Sequence, residues 1–420
     1  MSTQNKLNFW ILAGFAATSL VPTAGFAAGF ANTNQSATAT ALGGVGVANP
    51  NEANRSYYNP ASMTEAKLGI YLGDVVVMPT VNYRSSDGET SETVQNILPP
   101  PNFHFGYAIT DDLAAGVGFT MPYGLTMEWP QDWQGREIIT KQTLRTFNIN
   151  PNVAYRFPGT KFSVALGGQI VPADVTLDRK TVLRSDKDVS AQLGGTGLGF
   201  GATAAAFYRP TSNLTFGATY RSSVKIDFEG DAHFDGEEGT PFETTFVEQA
   251  ISTELTLPHS ATLGVGYQAD RVWVGLDVGM TFWNSYDTLE VRFSEPCEAG
   301  DATCTFGVDS TNPPTTVIPG NWKDSPTFRL GIQYDLFDYL ALRAGVAWDI
   351  SPIPDTTVSP SLPGNDRAVL SGGVGYHRKE WRTDLAYQLV KATRNIQNGN
   401  QDGRYDTTAH ILGLNVGYEY

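Results

Sequence analysis

The chain has 420 residues, 17% of them charged, and a formal net charge of −15, and its mean hydropathy lies slightly below zero. Such acidity excludes nucleic acid or an anionic lipid surface as a natural partner, and this hydropathy excludes an ordinary bundle of membrane-spanning helices. The 43 glycines, 18 tyrosines, 22 phenylalanines and 8 tryptophans suit a strand-rich protein with tight turns and aromatic-lined interfaces.

In chain order, Lys6 precedes an apolar run from Leu7 to Val21, and small residues follow around Gly25, Phe26 and Ala27. That layout predicts a signal peptide over 1–27, cleaved after Ala27. The run is shorter than the ~20 residues a spanning helix needs. No later apolar stretch approaches that length, so a mature chain that enters a membrane must do so as a closed barrel.

Residues 28–67 do not alternate. They are small and polar, with Gly43, Gly44 and Gly46 and then Asn59, Pro60 and Ala61, and can fold only against something else. From Leu68 to Tyr420 the chain alternates apolar with polar or small residues, the period of a half-buried strand. About fourteen strands are expected, near 68–83, 102–109, 113–125, 144–157, 162–177, 195–208, 214–228, 251–267, 272–293, 327–334, 340–350, 368–376, 381–391 and 407–420. Short turns alternate with long polar stretches at 84–101, 126–143, 178–194, 229–250, 294–326, 351–367 and 392–406. The expected fold is an all-β, antiparallel transmembrane barrel, trim at its periplasmic end and elaborate outside. In a lumen of this width, residues 28–67 would act as a plug.

The last strand places Leu412, Leu414, Val416, Tyr418 and Tyr420 on one face and ends on an aromatic, the kind of ending that outer-membrane assembly machinery is thought to read. The same alternation points Phe328, Leu330, Ile332 and Tyr334 at lipid and Arg329, Gln333, Asp335, Arg343, Asp349, Arg382, Asp384 and Gln388 inward. The arginines could hold a ligand carboxylate or pair with Asp349 and Asp384 as struts. Cys297 and Cys304, close together in an exported chain, point to a loop-closing disulfide. Asp231, Asp235, Glu237 and Glu238 could bridge lipopolysaccharide through a divalent cation or simply form a solvated acidic loop.

The start Ala28-Gly29-Phe30, the run Gly43-Gly44-Val45-Gly46 and Asn59-Pro60-Ala61 together resemble the N-terminal hatch of the FadL family of outer-membrane transporters. Residues 148–157, 257–267, 321–334 and 343–376 are similar to that family's strand and loop signatures. The resemblance implies a fourteen-stranded barrel in the outer membrane with a hatch over 28–67, passing long-chain fatty acids or aromatic hydrocarbons by diffusion. It also implies capture on the outer loops, a lumenal pocket and sideways exit at a kinked third strand. Pro122, which cannot donate a ladder hydrogen bond, would break pairing near Met121 to Gly124, although a proline at the strand's upper end reads the same way. Candidate capture aromatics are Trp129 and Trp133 in the second long loop and Phe234, Phe242 and Phe246 in the fourth; packing of the loops on one another is the alternative for each.

No catalytic, cofactor or metal constellation is expected. Gly197, Gly199 and Ala202 fit only a degenerate dinucleotide fingerprint with no helix behind it. The five histidines lack ligand spacing, and no nucleophile elbow occurs. A general porin and a loop-based adhesin or receptor are the competing classes.

Overall fold

The computed structural model describes residues 29–184, 187–235, 248–294, 315–399 and 401–420. The expected signal peptide, Phe242, Phe246, Glu237, Glu238, Cys297 and Cys304 lie outside the described residues.

Fourteen antiparallel staves close on themselves. They are β1 (Leu68–Arg84), β2 (Pro101–Ala108), β3 (Leu113–Thr120), β4 (Asn148–Arg156), β5 (Phe162–Arg184), β6 (Lys187–Tyr208) and β7 (Leu214–Arg221). The ring continues with β8 (Ser260–Ala269), β9 (Val272–Thr281), β10 (Ser325–Phe337), β11 (Leu340–Asp349), β12 (Arg367–Arg378), β13 (Trp381–Ile396) and β14 (Gly403–Glu419). Closure is made by β1 on β14, in unbroken register from Gly69 opposite Glu419 to Arg84 opposite Arg404. A closed ladder is what the bilayer requires, because no water is present there to satisfy a free edge.

The faces follow the alternation. Phe328, Leu330, Ile332 and Tyr334 are 43–47% exposed, while Arg329 and Gln333 between them are 8% and 6% exposed. At the short-turn end Tyr107, Tyr155, Phe157, Phe162, Tyr208, Tyr339, Tyr376 and Trp381 are all exposed, forming the aromatic girdle expected where a barrel meets the head-group layer.

Several expected loops are ladders. β5 and β6 stay paired beyond Leu177, from Asp178 opposite Gln192 to Val182 opposite Asp188. β13 pairs with β14 up to Ile396 opposite Gly403. Beyond the bilayer the outward face of a hairpin is polar and its inward face carries only scattered apolar residues, such as the buried Val189, Ala191 and Tyr405, so the strong apolar period that marks a lipid-facing strand fades while its hydrogen bonds persist. The seventh and eighth expected strands are each divided, at Ser222–Ser223 and Pro258–His259, and their outer parts, Val224–Asp235 and Gln249–Leu257, pair with each other above the ring.

Residues 29–67 lie inside the ring. Helix α1 (Ala37–Ala41) starts at Ser36, whose Oγ accepts from the Ala39 N–H at 3.0 Å. It ends in Gly43 and Gly44, at φ 70° and 90°, a left-handed turn that glycine alone adopts freely. Helix α2 (Arg55–Tyr58) and a 3₁₀ turn (Pro60–Glu65) follow. A band of inward-facing glycines seats this segment. A β-carbon on Gly217 would fall 2.0 Å from Val47 O, on Gly331 2.7 Å from Leu42 O, on Gly345 2.1 Å from Leu42 C, and on Gly373 2.6 Å from Ala41 Cβ. Gly217 pairs with Gly264, Gly275 with Gly331, and Gly331 with Gly345, so the bare positions line up across neighbouring staves. Backbone therefore touches backbone.

Polar anchors finish the seat. Asp277 Oδ2 accepts from the Gly46 and Val47 N–H groups at 2.8 and 3.1 Å, and Ala37 N–H donates to Asn415 Oδ1 at 2.5 Å. Glu52 is buried, and its Oε1 accepts from Ser36 Oγ at 2.5 Å and from Asn54 N–H at 3.0 Å. Burial pushes its carboxyl up to about 7, the two hydrogen bonds opposing only part of that shift.

Two outcomes are expected. Gly345→Ala forces overpacking worth about 1–3 kcal/mol and should speed amide exchange at residues 40–46 by roughly tenfold or more. Gly372→Ala, whose β-carbon would find only ordinary contact at 3.4 Å, should leave it unchanged. For Glu52, the seated segment holds a proton that a released one, at the ordinary 4.5, gives up. Seating is thus firmest below about pH 4.5 and weakens as the pH rises to about 7. Exchange rates of residues 36–54 followed across that window should show this drift, and Glu52→Gln should abolish it.

Candidate functional site

The wall is interrupted once between β2 and β3. Their ladder runs up to Phe103 opposite Phe119. Above Thr120 the chain leaves it for Met121, Pro122 and Tyr123, and resumes as Gly124–Glu128, paired only with Lys141–Thr146 on the far side. The facing chain reads Leu98-Pro99-Pro100-Pro101, three residues without an N–H. Its remaining groups turn to β1, with Val77 N–H donating to Leu98 O at 2.8 Å and Val75 N–H to Pro100 O at 3.4 Å. The gap closes again where Val94 N–H donates to Glu128 O at 2.8 Å. Pro122 therefore interrupts a strand that continues beyond it. The proline run opposite, equally visible in the sequence, escaped notice because it falls in an expected loop.

The displaced backbone finds its partners in the lumenal segment. Met121 N–H donates to Gln35 Oε1 at 2.9 Å, and Met121 O accepts from Gln35 Nε2 at 3.0 Å. Asn32 N–H donates to Pro122 O at 2.7 Å and Gly124 N–H to Phe30 O at 2.9 Å. The N-terminal residues thus stand in for the missing stretch of β2, leaving few polar groups unmet.

Above this junction, under the outer loops, lies an apolar cavity of about 540 Å³. Phe30 and Leu125 bring the lumenal segment and the displaced strand to its wall, together with Leu144, Phe228, Leu255 and Trp322. Phe30 sits at the centre of an aromatic knot, 4.7 Å from Trp283 and 5.6 Å from Trp322 between ring centres. Arg179 and Glu137 also line the cavity. None of these wall residues was singled out as a binder from sequence. Leu125, Leu144, Phe228 and Leu255 fall within expected strands, but alternation alone does not separate an inward residue that borders a cavity from one that packs.

The sequence-derived candidates fall in three places. Trp129 and Trp133 are 1% and 2% exposed and stack at 4.3 Å. Their indole N–H groups donate to Pro360 O and Ile139 O, so they fasten loops together instead of facing solvent. Phe234 packs half-buried beside Ala232, Val291 and Phe293. The arginines occupy the lumen: Arg343 and Arg382 share Asp384 at 2.6 and 2.8 Å, and Arg382 also donates to Asn51 O and Thr38 Oγ1. Arg329 lies against Gly44 beside the Arg367–Asp349 ion pair. Asn59 donates to Val47 O and Ala206 O at 2.8 and 3.0 Å, with Pro60 and Ala61 buried behind it, so this triplet ties the lumenal segment to β6.

Among known proteins, the long-chain fatty acid transport protein of Escherichia coli K12 is 27% identical over 86% of this chain and 87% of its own length. The crystal structure of a Pseudomonas aeruginosa FadL homologue superposes with a TM-score of 0.81 at 19% identity, covering 93% of this chain and all of that one. The Pseudomonas putida toluene transporter TodX superposes with a TM-score of 0.72 at 16% identity, over 94% and 99% of the two chains. A family described as outer membrane protein transport protein (OMPP1/FadL/TodX) matches residues 16–420. The chain thus belongs to the OMPP1/FadL/TodX family of outer-membrane transport proteins, and its closed fourteen-stranded barrel agrees with that membership.

Proposed function

We propose that the protein passes hydrophobic molecules, long-chain fatty acids or aromatic hydrocarbons, passively across the outer membrane and releases them sideways into the bilayer. The observation that carries this reading is the junction itself: an apolar cavity abuts the one stretch where β2 and β3 share no ladder. Cargo enters from the loop side, where Val317 and Ile318 at the cavity rim are 52% and 37% exposed. It rests against Phe30 and Leu125 and leaves between Pro99–Pro101 and Met121–Tyr123. Each CH₂ kept out of water on that route is worth about 0.8 kcal/mol, which favours an apolar path over one through the aqueous periplasmic mouth.

Residues 29–67 serve as the hatch. They fill the lumen, and only their first residues, Phe30 to Gln35, hold the displaced strand. The lumenal ion pairs support this reading over an open porin, because Arg343, Arg382 and Asp384 are bonded to each other and to the hatch in place of lining a water column.

Two measurements test the proposal. Replacing Pro122 by valine, with Pro99 to Pro101 restored to ladder-forming residues, should slow uptake at least about tenfold while leaving cargo affinity within about threefold; unchanged uptake would rule out sideways exit. In planar bilayers the intact protein should carry little ion current, and deleting residues 29–66 should open a steady conductance. A large current through the intact protein would favour the porin alternative.

A further inference from the structure

On β1 the inward residues Tyr71, Val75 and Val77 are 0–1% exposed, which turns Asp74 outward into the lipid-facing row of Ile70, Leu72, Val76 and Met78. It stands six residues above Leu68, roughly 15 Å up a tilted strand and near the middle of the ~25 Å apolar band. Its neighbours across the ladder are Leu414 on β14 and Pro101 on β2. Pro101 lies two residues above the last ladder pair holding β2 to β3, Phe103 opposite Phe119, so Asp74 is one strand spacing, about 5 Å, from the lower rim of the gap. The carboxyl has no ion-pair partner among the described residues, and its buried Oδ1 accepts no hydrogen bond. By contrast His410, also in the lipid-facing row, bonds to Tyr387 Oη at 2.8 Å.

A carboxyl in hydrocarbon with no ion-pair partner and a bare Oδ1, steadied only by the neighbouring Val75 N–H, is a standing penalty. Nothing in the ladder needs it; a leucine would suit the row better. We propose that Asp74 is a polar station for the head group of an amphiphilic cargo at the moment of exit. As the acyl chain slides through the gap into the bilayer, its carboxyl loses the polar groups of the cavity. At Asp74 the two carboxyl groups share one proton, one donating a hydrogen bond and the other accepting it. No bond is made or broken, and the pair separates once the head group reaches an interface. The station does nothing for a bare hydrocarbon. The protein is thereby matched to long-chain acids in preference to hydrocarbons of the same length. This inference rests on sideways exit.

The test uses the full protein in liposomes, with the protein-dependent transfer of palmitic acid and of hexadecane into the bilayer measured in parallel. Asp74→Leu should slow palmitic acid about tenfold, the worth of one strong hydrogen bond, and leave hexadecane within about twofold. Asp74→Asn, which keeps a donor and an acceptor, should retain most of the palmitic acid rate. Removing a charge from the lipid face does not threaten folding. Equal slowing of both cargoes by Asp74→Leu, or no slowing of palmitic acid, would overturn the assignment. The gap-closing variant at Pro122 separates the two levels. If it blocks both cargoes while Asp74→Leu discriminates neither, only the role of Asp74 falls; if it blocks neither, sideways exit falls and takes Asp74 with it.

Discussion

A backbone N–H or C=O inside a bilayer has no water to fall back on, and everything unusual about this barrel follows from where that requirement is relaxed. The described seams other than β2–β3 are held by pairing over the lower barrel, with a short skip at Asn150 and Pro151 between β4 and β5 and a bulge near Asp335 between β10 and β11. The seam between β2 and β3 is held only part of the way. Prolines on both sides lower the demand by removing N–H groups, and the first residues of the lumenal segment supply what is left. A hole in the wall is therefore stable only while something inside completes it. That couples the wall to the lumen directly.

The lumen obeys a related economy. Arg343, Arg382 and Asp384 are almost wholly withdrawn from solvent, where an isolated charge would be prohibitive. They persist because both arginines bond to Asp384 and because spare donors of Arg382 reach the carbonyl of Asn51 and the hydroxyl of Thr38. The charges are thus mortar between wall and insert, while the glycine band provides the flat surface on which mortar can act.

How much of this was legible beforehand depended on periodicity. Where a strand has lipid on one face and a packed lumen on the other, as in β10 with Phe328, Leu330 and Ile332 against Arg329 and Gln333, alternation gave the facing and placed the strand to within three residues at each end. Where a hairpin rises into water, as at 178–182 and 188–194, the outward face turns polar and the strands were read as loop. The cavity was invisible for a different reason: Leu144, Phe228 and Leu255 fall inside expected strands, but alternation does not say which inward residues border empty space. Pro122 was legible because proline has a fixed chemical meaning in a ladder. Trp129 and Trp133 were recognisable as important but not as buried, because a sequence does not reveal which loops lean on which. Asp277, which holds Gly46 and Val47, carried no local signal: its role exists only once residues over two hundred positions apart meet.

The glycine band has a consequence for how the molecule comes to exist. The insert touches β14 through Ala37, Asn415 and Gly413, yet it is covalently joined to β1, the first stave made. With backbone pressed on backbone at Gly217, Gly331 and Gly345, the insert is gripped too closely to be slid into a finished ring. The earliest-synthesised part must already be in position when the final strand zips to the first, so the interior acts as the mandrel around which the tube is wound.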